Sequence, residues 1–111
     1  MNTLPDSVAV QQSSYNTAAS GGASNIALAA PTNGRHVIDW IAWSYAADPT
    51  SGALTITDTT NSVTLFSLDI TVGGPGELGF AERGFKCPDN VAITVTLADG
   101  SQTKKLNMQY R

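Results

Sequence analysis

Apolar and small polar residues alternate along most of the chain from Asn25 onward, with a period close to two. The clearest example is the segment 91–98, where Val, Ile, Val and Leu are separated by Ala and Thr; residues 66–72 repeat the pattern. Because successive side chains of a strand point to opposite faces, this alternation indicates half-buried antiparallel strands. The predicted strands are 25–29, 36–45, 53–58, 63–72, 91–98 and 102–110, with a short extended piece at 78–81.

Turn residues separate these segments. Pro, Gly, Asn and Asp are concentrated at 31–34, 48–52, 58–62, 73–76 and 88–90, and each of these residue types favours tight turns. Six or seven short strands with frequent turns predict an all-β domain, either a sandwich or a barrel.

The last turn predicts a specific pairing. Asp99-Gly100 suits the positive φ angles of a type I′ turn, so residues 97–102 are expected to form a two-residue hairpin, with Ile93 opposite Leu106. The apolar pattern gives the same register and assigns one row of side chains to the core. That row comprises Val91, Ile93, Leu106, Met108 and Tyr110.

The segment 36–45 is apolar on both faces. Val37, Ile41, Trp43 and Tyr45 share one face, and Ile38, Trp40 and Ala42 share the other. A sandwich strand buries one face in the core, so a Trp on its outer face needs a cover. Two interpretations stay open: the N-terminal segment or a loop covers Trp40, or another subunit or a ligand does.

Residues 1–23 differ from the rest. Ser, Thr, Gln, Asn and Ala dominate, so the segment has too little apolar surface to offset its ordering entropy alone. We expect an extended or flexible N-terminal arm over 1–23 and a β-sandwich domain over 24–111. The arm is either a frayed terminus or a segment that orders on a neighbouring subunit, with a hinge at Gly21 and Gly22. Its apolar anchors would be Leu4, Val8, Val10 and Tyr15.

Charge is sparse. Charged residues make up 14% of the chain, against about 25% in an average soluble domain, and hydroxyl and amide residues replace them. Such a surface is inexpensive to desolvate and suits contacts between subunits, although Thr is also common in ordinary secreted or viral β domains. The net charge is −3 and the basic residues are scattered, so nucleic acid is not expected as a partner.

Cysteine usage and hydropathy indicate the setting. Cys87 is the only cysteine, which excludes an intrachain disulfide and fits folding in a reducing cytoplasm. The first 15 residues have no Lys or Arg and no apolar run, so we expect no signal peptide. No apolar stretch approaches about 18 residues, so no membrane partner is expected.

The candidate motifs for catalysis, cofactor binding and metal binding each lack a feature that the chemistry needs. Residues 74–79 match G-x-G-x-x-G, but no helical period follows to hold a pyrophosphate. His36 and Asp39 project to opposite faces of a strand, and no second His is near for a metal. Glu77 and Glu82 lie in a Gly-rich stretch with no apolar pocket. Cys87 has no activating neighbour in the sequence. We therefore predict a non-enzymatic protein with no catalytic, cofactor-binding or metal-binding residues.

Three stretches carry a family resemblance: HVIDWIAWSYAADPTSGALTI at 36–56, FSLDITVGGPG at 66–76 and VAITVTLADG at 91–100. With them, residues 35–111 resemble small β-sandwich virion proteins of tailed bacteriophages. The resemblance implies a single antiparallel, jelly-roll-like sandwich that decorates or cements an icosahedral head. It also implies trimers over the local threefold axes of the capsid, with terminal arms that touch the shell.

The expected function is therefore that of a capsid decoration or cement protein, which stabilises a phage head by binding across capsomers. Its partners would be the major capsid protein and itself, as a homotrimer, with Trp40 or Trp43 near a buried contact. It would be synthesised in the host cytoplasm and located on the capsid surface of the virion. The alternative is a tail or fibre module that binds host glycans, for which Trp40 near His36 is the candidate feature.

Overall fold

Two β-sheets form the architecture. The structure is a computed structural model, and it describes residues 12–81 and 83–111. Within these residues there are nine strands: β1 (Gln12–Ala18), β2 (Ser24–Leu28), β3 (Val37–Tyr45), β4 (Gly52–Asp58), β5 (Val63–Ile70), β6 (Gly74–Gly79), β7 (Phe85–Lys86), β8 (Ile93–Leu97) and β9 (Lys104–Tyr110).

The strand order is that of a jelly roll. Sheet A has the order β1-β9-β3-β6, with β7 also paired to β3, and sheet B has the order β2-β8-β4-β5. Early strands pair with late ones: β1 with β9, β2 with β8, β3 with β6 and β4 with β5, all antiparallel. The chain is thus a long antiparallel hairpin folded over into two facing sheets. The prediction of an all-β, jelly-roll-like antiparallel sandwich is confirmed.

The core lies between the two sheets and is made by the alternation seen in the sequence. Along β4 and β8 every second residue is buried and its neighbours are half-buried. In β5, Phe66 and Leu68 are partly buried and Ile70 is buried, but Val72 lies beyond the strand and is 68% exposed. The apolar core residues with no exposed surface are Ile38, Ile41, Leu54, Ile56, Ile93, Val95, Leu97, Leu106 and Met108.

The predicted C-terminal hairpin is wrong. β8 pairs with β2 and β4 in sheet B, whereas β9 pairs with β1 and β3 in sheet A. Ile93 therefore faces Leu28 and Asp58 instead of Leu106. The turn itself forms one residue later than predicted: the Gln102 amide donates to the Asp99 carbonyl at 3.3 Å.

The central residues of that turn and its long-range contacts explain the switch of sheets. Gly100 and Ser101 both have a φ of +59°, the sign that a type I′ turn requires. The Ala98 amide donates to the Ala53 carbonyl at 2.8 Å, and the Tyr45 hydroxyl donates to the Ala98 carbonyl at 2.6 Å. The first bond holds Ala98 against β4 of sheet B, and the second ties it to β3 of sheet A, toward which the chain then crosses. The predicted inward row stays inward, since both sheets face the same core.

Residues on the N-terminal side of the predicted boundary at residue 24 take part in the sandwich. Residues Gln12–Ala18 form β1, an edge strand of sheet A that is in register with β9 along its whole length. Its sequence, QSSYNTA, has little apolar surface, and main-chain hydrogen bonds to β9 hold it in place. The sandwich therefore begins at residue 12 within the part of the chain described. Leu4, Val8 and Val10 lie outside the described residues, so their role as anchors stays a prediction.

The strand that corresponds to the predicted extended piece at 78–81 is longer than predicted and begins four residues earlier. β6 runs over Gly74–Gly79 and pairs with β3 from Tyr45 to Trp40. The G-x-G-x-x-G match is thus a strand along its whole length, with its main-chain groups directed at a neighbouring strand rather than at a phosphate.

Candidate interaction surface

His36 and Asp39, which were considered for catalysis, each contact a different partner. His36 Nε2 lies 2.7 Å from the Ala29 carbonyl oxygen, while Asp39 Oδ1 lies 3.0 Å from the guanidinium of Arg111. Within residues 12–81 and 83–111 no group of three His, Cys, Asp or Glu side chains is arranged to hold a metal ion. Glu77 is exposed on β6, and Glu82 lies outside the described residues. In the same part of the chain no helix is long and apolar enough to cross a bilayer.

Cys87 is a core residue. Its side chain is buried, and burial, followed by the negative charge of Asp58, raises the pKa of the thiol to about 11. At neutral pH it is therefore a protonated, apolar group. Its environment is the opposite of the electropositive, partly exposed surroundings that activate a cysteine.

The outer face of sheet B carries an array of hydroxyl groups. Two rows cross all four strands: Asn25, Thr96, Thr55 and Ser67 in one, and Ala27, Thr94, Thr57 and Thr64 in the other. We call these eight residues the threonine face. The Thr96 hydroxyl donates to Asn25 Oδ1 at 2.7 Å. No member is charged, and the acidic residue Asp69 belongs to the next row, opposite Ala53.

The outer face of sheet A is different because it carries aromatic rings. Tyr15 on β1 is 73% exposed and lies opposite Asn107 on β9. Trp40 on β3 is half-buried, and its indole N–H donates to Gln109 Oε1 at 2.5 Å. Between the rings is a cleft of about 130 Å³. We call this the aromatic cleft, and its lining residues are Ser14, Tyr15, Trp40, Asn107 and Met108.

Trp43 does not share that surface. It is on the inner side of β3 at the β5–β6 edge, packed against the core and partly exposed. Its indole covers Gly76, where an added Cβ would lie 2.4 Å from the ring. Of the residues proposed for contacts, the structure thus brings Tyr15 and Trp40 together and separates Trp43 from both.

The buried, hydrogen-bonded side chain of Lys104 was not predicted from the sequence. Lys104 is buried, and its Nζ donates to the carbonyls of Ala19 and Gly22, 3.0 and 2.5 Å away, and to Asp99 Oδ1, 3.3 Å away. The Gly21 amide donates to the same carboxylate oxygen at 2.8 Å. That amide first, and the Lys104 ammonium as well, hold the pKa of Asp99 below its usual range. Its spacing from Leu106 and Met108, two and four residues along β9, indicates that it lies on the same inward face of the strand.

Comparisons with known proteins concern the fold. No model of a known protein family matches the chain, and no curated protein does. Among solved structures, the NLP core of Drosophila, described for pentamer formation and histone binding, has a TM-score of 0.50 at 12% identity, covering 92% of this chain and 98% of that one. A Bacillus endospore appendage, from a family of disulfide-linked pili, has a TM-score of 0.44 at 13% identity, covering 91% and 84%. A virus-like particle of the prawn extra small virus has a TM-score of 0.34 at 7% identity, covering 91% and 77%. At these identities, the first likeness supports the two-sheet fold, and none of the three assigns a function.

Proposed function

We propose that this chain is a structural protein of a phage virion that binds the outside of the head across neighbouring capsomers. The observation that carries the proposal is the threonine face, a surface of eight uncharged residues on sheet B. Burying charged side chains against a partner is costly unless each is paired, whereas hydroxyl and amide groups exchange hydrogen bonds with water for bonds with a partner at small net cost.

The area of the threonine face limits how tightly a single copy can bind. Four strands about 4.8 Å apart, each contributing two outward residues, cover roughly 300 Å². A stable interface of standard size buries about 800 Å² on each partner. One threonine face is therefore a weak contact, and tight binding needs several contacts acting together. Trimers over the local threefold axes of the shell, with the terminal arms that the resemblance implies touching neighbours, would supply them.

The resemblance of residues 35–111 to small β-sandwich virion proteins supplies the partner, the major capsid protein. The low charge of the chain and its lone buried cysteine agree with a subunit that folds in the host cytoplasm and then adds to a preformed head. Its mechanism is mechanical: each copy joins capsomers and raises the free energy needed to separate them.

The test uses two lysines placed on the threonine face. Thr55 and Thr96 are cross-strand neighbours at its centre, so Thr55→Lys with Thr96→Lys puts two like charges into the contact. We expect binding to heads that lack this protein, measured by co-sedimentation, to fall at least tenfold. The matched control is Thr17→Lys with Thr103→Lys, two exposed threonines away from this face, and it should bind like the parent apart from a uniform effect of charge.

Heat challenge of particles distinguishes this function from its alternative. Heads without the protein should lose their DNA at a lower temperature than complete heads, and the parent protein, but not the threonine-face variant, should restore the difference. Particles of unchanged stability that adsorb poorly to cells would instead favour a tail or fibre module that binds glycans.

A further inference from the structure

The aromatic cleft has the composition of a saccharide site. A pyranose ring presents C–H groups on one face and hydroxyl groups around its rim, so it is bound by an aromatic ring for the face and by amide or hydroxyl groups for the rim. Tyr15 supplies an exposed ring, and Trp40 supplies a second ring. The side chain of Asn107, which is exposed, lies between them on β9.

We propose that the aromatic cleft binds one residue of a neutral oligosaccharide. Tyr15 and Trp40 would contact the faces and edges of the sugar ring, and the Asn107 amide, which both donates and accepts hydrogen bonds, would take a pair of adjacent hydroxyls. The Met108 side chain is buried, so its main chain forms part of the floor.

The Trp40 wall of the cleft is held in place before any ligand arrives. Trp40 is on β3, a central strand paired with β9 on one side and with β6 on the other. Its indole is oriented by the bond to Gln109 Oε1. A ring that is already held in place loses little freedom on binding, which favours affinity for a small ligand.

Size and charge select the class of ligand. The cleft holds about 130 Å³, below the roughly 300 Å³ at which pockets for drug-sized ligands begin, so it fits one ring of a longer chain. None of its five lining residues is charged. An anionic sugar would need a cation in the cleft, so a neutral or N-acetylated sugar is the better match.

The position of the cleft complements the proposed docking surface. The threonine face and the aromatic cleft are on the outer faces of opposite sheets. A copy bound to a shell through sheet B would present the cleft to the surroundings. The sugar site does not depend on shell binding, and the isolated protein tests it.

The two tryptophans provide an internal control for that test. Indole N–H signals of Trp40 and Trp43 are followed in ¹H–¹⁵N spectra of the full chain during titration with cellotetraose, maltotetraose and chitotetraose. We expect at least one of these sugars to shift the Trp40 signal with a dissociation constant on the order of 1 mM, a strength typical of small contacts. The Trp43 signal, from a ring packed over Gly76 at a different edge, should stay in place.

Variants identify the groups responsible. Tyr15→Ala removes an exposed ring from an edge strand and should weaken binding at least fivefold, and Asn107→Ala should do the same. The matched control is Val72→Ala, which trims another exposed apolar residue away from the cleft and should leave affinity unchanged. Spectra of each variant report whether the fold is intact.

Three results would overturn the proposal. One is the absence of any Trp40 shift with all three sugars at concentrations of tens of millimolar. Another is an affinity that Tyr15→Ala and Asn107→Ala leave unchanged. The third is a Trp40 shift that follows protein concentration instead of sugar, which would assign the cleft to contacts between copies of the chain.

Discussion

Replacing the buried Lys104 by Met is expected to destabilise the sandwich by about 2–3 kcal/mol. Three acceptors, the carbonyls of Ala19 and Gly22 and the Asp99 carboxylate, lose a charged donor. Each such hydrogen bond contributes roughly 1.5–3 kcal/mol. Part of this is offset, because Met keeps the apolar stem and removes an ammonium whose burial itself costs several kcal/mol.

The assay is urea unfolding followed by tryptophan fluorescence, with Lys105→Met as the matched control. Lys105 is next in β9 but exposed, so its replacement should change stability by no more than about 0.5 kcal/mol. The Lys104 variant should unfold at lower urea with an unchanged slope, and hydrogen exchange should accelerate in the β1–β2 connection that the ammonium holds. If Lys104→Met is as stable as Lys105→Met, the hydrogen bonds of the Lys104 ammonium do not outweigh the cost of burying its charge, and the reasoning fails.

Three further predictions follow from single contacts. Gly76→Ala should cost about 1–3 kcal/mol by overpacking against Trp43, whereas Gly79→Ala on the same strand, with open space at its Cβ, should be tolerated; equal unfolding midpoints would contradict this. Asp99 has a pKa lowered by the Gly21 amide and Lys104, so its contribution is present above its unfolded pKa of about 3.9 and is lost as the pH falls through its folded pKa. The stability difference between the parent and Asp99→Asn should accordingly shrink in acid titrations below that value, and a constant difference would refute the linkage. The Cys87 thiol, with a pKa of about 11, should react with a disulfide reagent at pH 8 only after unfolding in guanidinium, and rapid reaction of the native protein would show that it is not buried.

The sequence determines which side of each strand is buried better than it determines which strands are paired. The alternation in β8 and β9 assigned Ile93, Leu106 and Met108 to the core, and the structure confirms this. The same alternation is compatible with a hairpin or with strands in facing sheets. The choice is made by contacts distant in sequence, such as the bond from the Tyr45 hydroxyl to the Ala98 carbonyl, and turn chemistry contains no information about them.

Prediction of the edge strand and of the candidate site from the sequence was limited for the same reason: both depend on which strands are paired. β1 is held by main-chain bonds to β9, which leave no apolar pattern in QSSYNTA to detect. Tyr15 and Trp40 were each singled out for a contact, but their placement beside one cleft requires the order β1-β9-β3. The buried Lys104 follows the inward parity of β9, which could have been read from the sequence once its strand was assigned.

Electron cryomicroscopy of complete particles, at a resolution that separates strands, tests the central claim most directly. The proposal predicts density for this sandwich on the outside of the head at the joints between capsomers, with Thr55 and Thr96 of sheet B toward the shell. The aromatic cleft should then point away from the capsid. Density for the chain on the tail, or on the head with the threonine face turned to solvent, would contradict the account.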